Sequence, residues 1–277
     1  MIRYYCLNGS LTKVEESRLQ VSDLSILRGF GIFDYFLVRG GQPLFLADYL
    51  DRFYTSAEKL GLSMPVDREG LTRQIMELLE ANGHSEAGIR LVLTGGYADD
   101  SYTPVNPNLL VMQHAYKTPP AWQFERGIRL MSYDHQRELP EIKSINYLTG
   151  IRLQPVLKAA GADYLLYHDH GVIRESDRSN FFALTENGIL VTPHEKILRG
   201  ITRKQVLDIA PDIVAVEERT VHMDEMPTFR EAFLTSSTKG VMPVIQVDDT
   251  VIGDGRPGEV TQRLGALFME RVGAFVV

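Results

Sequence analysis

Four short stretches of this chain bring together residue types that could do chemistry. The run Glu141-Ile142-Lys143-Ser144-Ile145-Asn146-Tyr147 sets a lysine between two isoleucines at a strand-to-helix junction. Burial disfavours an ammonium, and a neutral amine is a nucleophile able to form a Schiff base with a carbonyl. A solvated lysine at the same place would only cover apolar neighbours with its stem. Further on, Ile173-Arg174-Glu175-Ser176-Asp177-Arg178-Ser179-Asn180-Phe181-Phe182 is a polar cluster that runs directly into an apolar strand. Its Asp, Ser and Asn side chains either bond their own backbone in a turn or line a pocket. Leu198-Arg199-Gly200-Ile201-Thr202-Arg203 opens a helix with glycine and threonine, where unpaired N–H groups and the helix dipole attract an anion such as a phosphate. An ordinary capped helix reads the same way. Thr235-Ser236-Ser237-Thr238-Lys239-Gly240 follows a strand with a run of hydroxyls and amides, which is either a second phosphate cradle or a plain turn.

Other chemistries find no support. No GxGxxG follows a strand, no GxxxxGK[ST] occurs, and the seven histidines lack metal-ligand spacing, so no metal site is predicted. The charge sum, 29 basic against 36 acidic residues or −7, offers no basic field for a nucleic acid or an anionic membrane. Cys6 is the only cysteine, which excludes an intrachain disulfide and a thiolate zinc site and suits a reducing cytoplasm. The first residues, Met1-Ile2-Arg3-Tyr4-Tyr5-Cys6, form no apolar leader, and no stretch approaches the roughly 18 apolar residues of a membrane span. These observations predict a cytoplasmic protein whose partners are small molecules.

Elements must hold the four stretches in place. The 277 residues, 44% hydrophobic and 23% charged, correspond to a folded chain of one large domain or two modest ones. The break at Lys117-Thr118-Pro119-Pro120 predicts a small mixed α+β domain over 1–118 and a larger one over 119–277, with a cleft between them as the site. Upstream, Gly31–Val38 reads as a strand turned by Arg39-Gly40-Gly41 into a Leu44-Phe45 strand. Helices are predicted from Asp48, as cap, to Leu60 and over Arg68–Ala81, and strands near Ile89–Leu93 and Leu109–Gln113. Downstream, strands near Ile128–Tyr133, Tyr164–His168, Phe181–Leu184, Ile189–Val191 and Ala232–Thr235 alternate irregularly with helices near Tyr147–Ala160, Thr202–Ala210 and Glu259–Val272. Hairpin turns at Asp169-His170-Gly171 and Asn187-Gly188 argue against a doubly wound parallel sheet and for a barrel-like mixed sheet.

Taken in order, Arg28-Gly29-Phe30-Gly31-Ile32-Phe33-Asp34, Asp48-Tyr49-Leu50-Asp51-Arg52-Phe53, Lys143, Glu175 to Asn180, Gly200-Ile201-Thr202-Arg203 and Ser236-Ser237-Thr238 resemble the class IV aminotransferases, the fold-type IV pyridoxal phosphate enzymes. The resemblance extends nearly the whole length, to the tail Asp254-Gly255-Arg256-Pro257-Gly258-Glu259-Val260-Thr261. It implies an α+β fold of this type and pyridoxal 5′-phosphate as cofactor. It implies that Lys143 holds the cofactor covalently and then moves a proton, and that Glu175 pairs with the pyridine nitrogen. Arg52 would grip the phosphate by forked hydrogen bonds, with the amides of Ile201 and Thr202, the Thr202 hydroxyl, Ser237 and Thr238 completing its cradle. Asn180 and Tyr147 match positions near the cofactor. The resemblance further implies a homodimer, with the apolar segment Leu24 to Phe36 supplying part of the contact.

Within this family the members divide into D-amino acid aminotransferases, branched-chain L-amino acid aminotransferases and aminodeoxychorismate lyases. The arginine and histidine with which typical D-amino acid enzymes trap the substrate carboxylate are missing, because the corresponding loop reads Gly95-Gly96-Tyr97-Ala98-Asp99-Asp100-Ser101. Phe33 stands where many members have tyrosine, and Asp34 replaces the usual glutamate, so the branched-chain pattern is also imperfect. A substrate α-carboxylate still needs a cation, and Arg28, Arg178 and Arg90 are the candidates. The pattern is similar to an unusual subgroup of D-amino acid aminotransferases in which arginines elsewhere take over the trap. The reading is therefore a transaminase moving amino groups from D-alanine or D-glutamate to a 2-oxo acid such as 2-oxoglutarate. A branched-chain transaminase is the alternative and the lyase a weaker one. A non-catalytic ligand-binding relative would be expected to have lost Lys143 or Glu175, and both are present.

Overall fold

The structure, a computed structural model, describes residues 1–274. The chain divides into two compact units, the first comprising Met1–Lys117 with Ile142–Asn146, the second Thr118–Glu141 with Tyr147–Ala274. The last three residues of the predicted second domain, 275–277, lie outside the described residues.

The first unit is built on a six-stranded antiparallel sheet. Its strands are β1 (Tyr4–Leu7), β2 (Ser10–Lys13), β3 (Gly31–Arg39), β4 (Gln42–Pro43), β5 (Ala87–Thr94) and β6 (Leu109–His114), in the order β2-β1-β6-β5-β3-β4. Both β3 and β5 are nearly continuous apolar runs, as strands covered on both faces must be. The helices are α1 (Leu24–Arg28), α2 (Leu46–Lys59) and α3 (Arg68–Asn82). Helix α2 buries Tyr49, Leu50, Phe53 and Ala57, a helical stripe that lies against β3. The short α1 is fixed at its start by Asp23, a fully buried carboxylate that accepts from Ser25 N–H (2.8 Å), Thr94 Oγ1 (2.8 Å) and Asn108 Nδ2 (2.8 Å). A capping side chain thereby ties α1 to β5 and to the entry of β6.

Two local expectations fail here. The strand after the Gly40-Gly41 turn is Gln42–Pro43 rather than Leu44-Phe45, because Leu44 and Phe45 are buried and feed directly into α2. Asp48 lies inside the first turn of α2 instead of capping it, where its charge still favours the helix dipole; the cap position is Phe45, at a left-handed φ of 52°.

The second unit is a barrel. Its strands are β7 (Ile128–Asp134), β8 (Tyr164–Asp169), β9 (Val172–Ser176), β10 (Asn180–Leu184), β11 (Ile189–Thr192), β12 (Ala215–Glu218), β13 (Glu231–Ser236), β14 (Gly240–Val247) and β15 (Thr250–Val251). The path β10-β13-β14-β7-β8-β9 closes on itself where β9 pairs with β10 through Glu175 and Asn180. Two pairings of the ring are parallel, β14 with β7 and β7 with β8, and the others antiparallel, which makes the sheet mixed. Residues of one face of these strands, among them Leu130, Leu166, Ile173, Phe181, Leu234 and Met242, form a single apolar core. The helices are α4 (Ala121–Arg126), α5 (Leu148–Arg152), α6 (Gln154–Ala159), α7 (Ile201–Ile209) and α8 (Glu259–Ala274). Helix α7 packs on β13 and α8 on β13 and β14. The start of α8 is held by Glu231, whose carboxylate accepts from the N–H groups of Val260 (3.1 Å) and Thr261 (2.8 Å).

The single helix expected over Tyr147–Ala160 is two, broken at Leu153. Pro155 has no N–H to donate and sits in the first turn of the second helix, so the first cannot run through it. The fold is thus the α+β arrangement read from the sequence, with the barrel in the downstream half.

Candidate active site

In the first unit the candidate residues gather around one end of β3. Successive side chains on a strand point to opposite faces, so Phe33 and Asp34 serve different neighbours. The Phe33 ring lies 4.7 Å from Lys143 Nζ, and the Arg90 guanidinium, on the adjacent β5, stands 5.9 Å from the same ring and 5.8 Å from that of Tyr35. Attraction of a cation to a ring face holds both side chains there. Burial raises the Tyr35 hydroxyl above its ordinary value, with the Arg90 charge opposing.

Lys143 is placed by backbone rather than by side-chain contacts alone. Its carbonyl accepts from Phe33 N–H (2.9 Å), the carbonyl of Gly31 accepts from Ile145 N–H (3.1 Å), and Ser144 bridges to Ile32, so residues 143–145 run as an extra antiparallel strand along β3. A Cβ at Gly31 would stand 2.7 Å from Leu93 O, so the start of β3 packs against β5 as only glycine allows. Lys143 itself is half-buried.

On the other face, Asp34 is fully buried and takes a fork from Arg52: Nε donates to Oδ2 (2.9 Å) and Nη2 to Oδ1 (2.7 Å). The Arg52 guanidinium is also backed by the Tyr49 ring at 5.2 Å. Arg28 ends α1, exposed, with Gly29 closing the helix at a φ of 64°.

In the second unit the closing pair of the barrel is also a pair of candidate residues. Glu175 is 4% exposed; its Oε2 accepts from Leu198 N–H (3.0 Å) and its Oε1 faces Arg137 Nη1 at 3.6 Å. Asn180 donates from Nδ2 to Leu198 O (2.7 Å). The backbone of Leu198 therefore bonds both side chains and delivers the chain through Arg199 and Gly200 to α7. A Cβ on Gly200 would collide with Asn180 Oδ1, so the close approach depends on glycine. Arg137 lies 5.3 Å from the Tyr147 ring, and burial raises the Tyr147 hydroxyl, Arg137 opposing.

The turn between β9 and β10 carries Arg178. Buried Asp177 accepts from Arg178 Nε (3.1 Å) and from Ser176 Oγ (3.0 Å), while 56% of the Arg178 side chain stays exposed. Ile201 and Thr202 begin α7, both buried, and no side chain caps its start, so the leading amides are not taken by a capping residue. Ser237 and Thr238 form the half-buried turn between β13 and β14. Just before it, Thr235 Oγ1 and Ser236 Oγ are buried without a hydrogen-bond partner among the described residues.

Sequence reasoning missed two cations. Arg137, in the loop after β7, stands in a polar run that gives no periodic signal. Lys239 was visible only as the tail of a hydroxyl-rich run, yet it is 6% exposed, donates to Ser179 Oγ (3.0 Å) and lies 4.2 Å from the Tyr164 ring. Burial chiefly, with Arg178 adding, depresses its amine to about 8 from an ordinary 10.5. Between those values the unfolded chain binds a proton that the folded chain does not, so stability rises with pH through that window. Below about 8 both states are charged and the burial cost is present in full. Lys239→Met is expected to abolish this slope, which urea midpoints at pH 7.5 and 10 measure; equal slopes in the two proteins would show the ammonium to be solvated.

The donor set fits a phosphorylated, cationic ring. A buried carboxylate suits a protonated ring nitrogen, while uncapped amides at a helix start and partnerless buried hydroxyls at the end of the adjoining β13 suit a phosphate. No group of three or more His, Cys, Asp or Glu side chains among the described residues could hold a metal, and no helix among them is long and apolar enough to cross a membrane.

Comparison with known proteins agrees. The family model of the class IV amino-transferases matches residues 31–247. A Methanocaldococcus jannaschii protein provisionally named a branched-chain-amino-acid aminotransferase is 30% identical over 276 residues, covering 95% of this chain and 94% of its own. The D-alanine aminotransferase of Bacillus licheniformis is 28% identical over 263 residues, 93% of each chain. Among solved structures, the T.th. branched-chain amino acid aminotransferase complexed with N-(5′-phosphopyridoxyl)-L-glutamate superposes with a TM-score of 0.88 at 25% identity, over 99% of this chain and 95% of that one.

Proposed function

The chain belongs to the class IV aminotransferase family and is a pyridoxal phosphate-dependent transaminase, and from that premise we propose that it transfers the amino group of D-amino acids, D-alanine and D-glutamate among them, to 2-oxoglutarate. The observation that carries this reading is Arg178, oriented by a buried carboxylate through Nε yet more than half exposed, in a chain whose sequence over 95–101 has neither arginine nor histidine. A guanidinium held by one edge presents the other as a fork for a carboxylate. Arg28, exposed at the end of α1, is the second cation of this trap. The D-alanine aminotransferase of Bacillus licheniformis is a relative of matching length.

When bound, pyridoxal phosphate supplies the electron sink for the carbanion left at the substrate Cα. The Lys143 amine attaches the cofactor and then takes the Cα proton, two roles that need one flexible amine close to the ring. Glu175 holds a proton at the ring nitrogen, and Arg137, Leu198 N–H and Asn180 hold Glu175 in place. The amides of Ile201 and Thr202, the hydroxyls of Thr202, Ser237 and Thr238, and Arg52 bind the phosphate. Tyr147 lines the ring. The reading includes a homodimer in the cytoplasm, with exposed Ile26 and Leu27 of α1 offering apolar surface for the contact.

A branched-chain transaminase is the second reading, favoured by Arg90, which shares the Phe33 ring with Lys143. The M. jannaschii and T.th. relatives bear that name. Mixing the cofactor-loaded protein with D-glutamate, D-alanine or L-leucine, without acceptor, separates the two. Loss of the visible absorbance with the D-amino acids alone is the expected result. Loss with L-leucine alone would replace this reading by the branched-chain one, and turnover that needs no 2-oxo acid would replace both by the lyase.

A further inference from the structure

Arg203 stands where helix electrostatics disfavour it. It is the third residue of α7, in the turn where the helix dipole favours acids and opposes a cation, and it is only 4% exposed. Burial chiefly, with Arg199 adding, lowers its guanidinium below the ordinary arginine value, Glu218 opposing. The hydrogen bonds it makes explain the placement. Nη2 donates to Pro193 O (2.9 Å) and to Glu218 Oε2 (2.6 Å). Pro193 directly follows β11 and Glu218 ends β12, and these strands pair in parallel with Thr192 beside Glu218. One nitrogen thus fastens the first turn of α7 to the ends of two neighbouring strands. The bond to Pro193, ten residues upstream, also closes the loop that leads from β11 into α7. Within that loop Leu198 bonds Glu175 through its N–H and Asn180 through its carbonyl, so the loop is held to the barrel there as well.

We propose that Arg203 is a positioning residue for the cofactor phosphate: by closing the loop before α7 onto the ends of β11 and β12, it fixes the direction of the leading amides of that helix. This rests on the reading that the amides of Ile201 and Thr202 hold the phosphate. A helix start is ordinarily fixed by a capping side chain, whose oxygen takes one of those N–H groups. No side chain caps α7, and Arg203 anchors its first turn from the strand side instead. Donors held in place before the anion arrives lose less freedom on binding it, which raises affinity. Glu218 balances the charge of Arg203, so the residue acts through geometry and not as a further cation for the phosphate. Arg203 therefore acts on how tightly a phosphorylated cofactor is distinguished from an unphosphorylated one.

The test compares binding of pyridoxal phosphate and of pyridoxal to the full chain, stripped of cofactor and titrated by visible absorbance. A general loss of stability lowers both affinities alike, whereas misdirected phosphate donors lower their ratio. Ile201→Pro tests the reading beneath the proposal, because proline suits the first residue of a helix and removes an N–H that the helix itself does not use. It is expected to lower the ratio about tenfold, the worth of one hydrogen bond to a charged group. Arg203→Met gives up the bonds to Pro193 and Glu218 and is expected to lower the ratio about tenfold as well. A ratio lowered by Ile201→Pro but unchanged by Arg203→Met would overturn the positioning role alone. An unchanged ratio in Ile201→Pro would overturn the phosphate reading of these amides, and the positioning role with it. Glu218→Ala separates geometry from charge, and it carries the test if Arg203→Met does not fold, because the Glu218 side chain is 43% exposed. Loss of that anchor is expected to lower the ratio severalfold. A ratio unchanged or raised there would overturn the proposal, a rise being the mark of an unbalanced cation that attracts the phosphate directly.

Discussion

Lys143→Ala is expected to reduce transamination by about 10⁴-fold or more while leaving the fold intact. The magnitude follows from one amine serving two steps: covalent attachment of the cofactor, and a proton transfer that alone contributes about 10²–10⁴-fold. The fold is spared because Lys143 is placed by its own backbone, through Phe33 N–H to Lys143 O and Ile145 N–H to Gly31 O, and those bonds survive loss of the side chain. Lys143→Arg separates charge from nucleophilicity. It keeps a cation against the Phe33 ring, now 4.7 Å from the lysine nitrogen, but cannot attach a carbonyl, and is expected to be as inactive as the alanine variant. Borohydride reduction followed by mass spectrometry provides a readout independent of turnover. The wild type should gain the mass of the cofactor on a peptide containing Lys143, and neither variant should. A cofactor mass on another lysine, buried Lys239 being the obvious competitor, would move the chemistry out of the first unit altogether.

Much of this arrangement was legible in the residues, and the exceptions have physical causes. Long apolar strands and amphipathic helices such as β3, β5 and α3 announce themselves because burial on both faces or on one stripe leaves a periodic trace. What that periodicity cannot report is which strand closes on which. The Glu175–Asn180 pairing that shuts the barrel joins the two ends of a polar stretch, and nothing in its composition distinguishes a closing turn from a surface loop. Asp34 and Arg52 are both legible as family positions, but their bidentate pairing across 18 residues depends on how α2 lies against β3. Arg137 and Lys239 show the same limit from the other side. An isolated cation reads as solvated, and only the assembled barrel shows that Glu175, Tyr147, Ser179 and Tyr164 surround them. Turn chemistry misled once, at Leu44-Phe45, where two apolar residues after a double glycine look like a returning strand but enter a helix.

Glu175→Gln is expected to lower the rate of the first half-reaction by about 10³-fold, with a smaller effect on substrate binding. Glutamine preserves the shape and can still accept from Leu198 N–H, so the backbone link between β9 and the start of α7 remains. What it loses is the charge. A buried pair broken by removal of one partner costs about 3–5 kcal/mol, and about 4 kcal/mol at 1.36 kcal/mol per tenfold corresponds to three decades in rate. Without that charge, residue 175 would no longer hold a proton at the ring nitrogen of the bound cofactor, on which the electron sink it would supply depends. The same substitution strips Arg137, whose side chain is only 12% exposed, of the carboxylate 3.6 Å away, so a fall in stability must be separated from a fall in rate. Glu175→Gln combined with Arg137→Met removes both charges and is expected to recover much of the melting temperature but none of the rate. Glu175→Asp keeps the charge one methylene further back and is expected to lie between the wild type and the glutamine variant in single-turnover rate. If the double variant instead regained activity along with stability, Glu175 would be a partner for Arg137 within the barrel and the proton at the ring nitrogen would have to be held by another group.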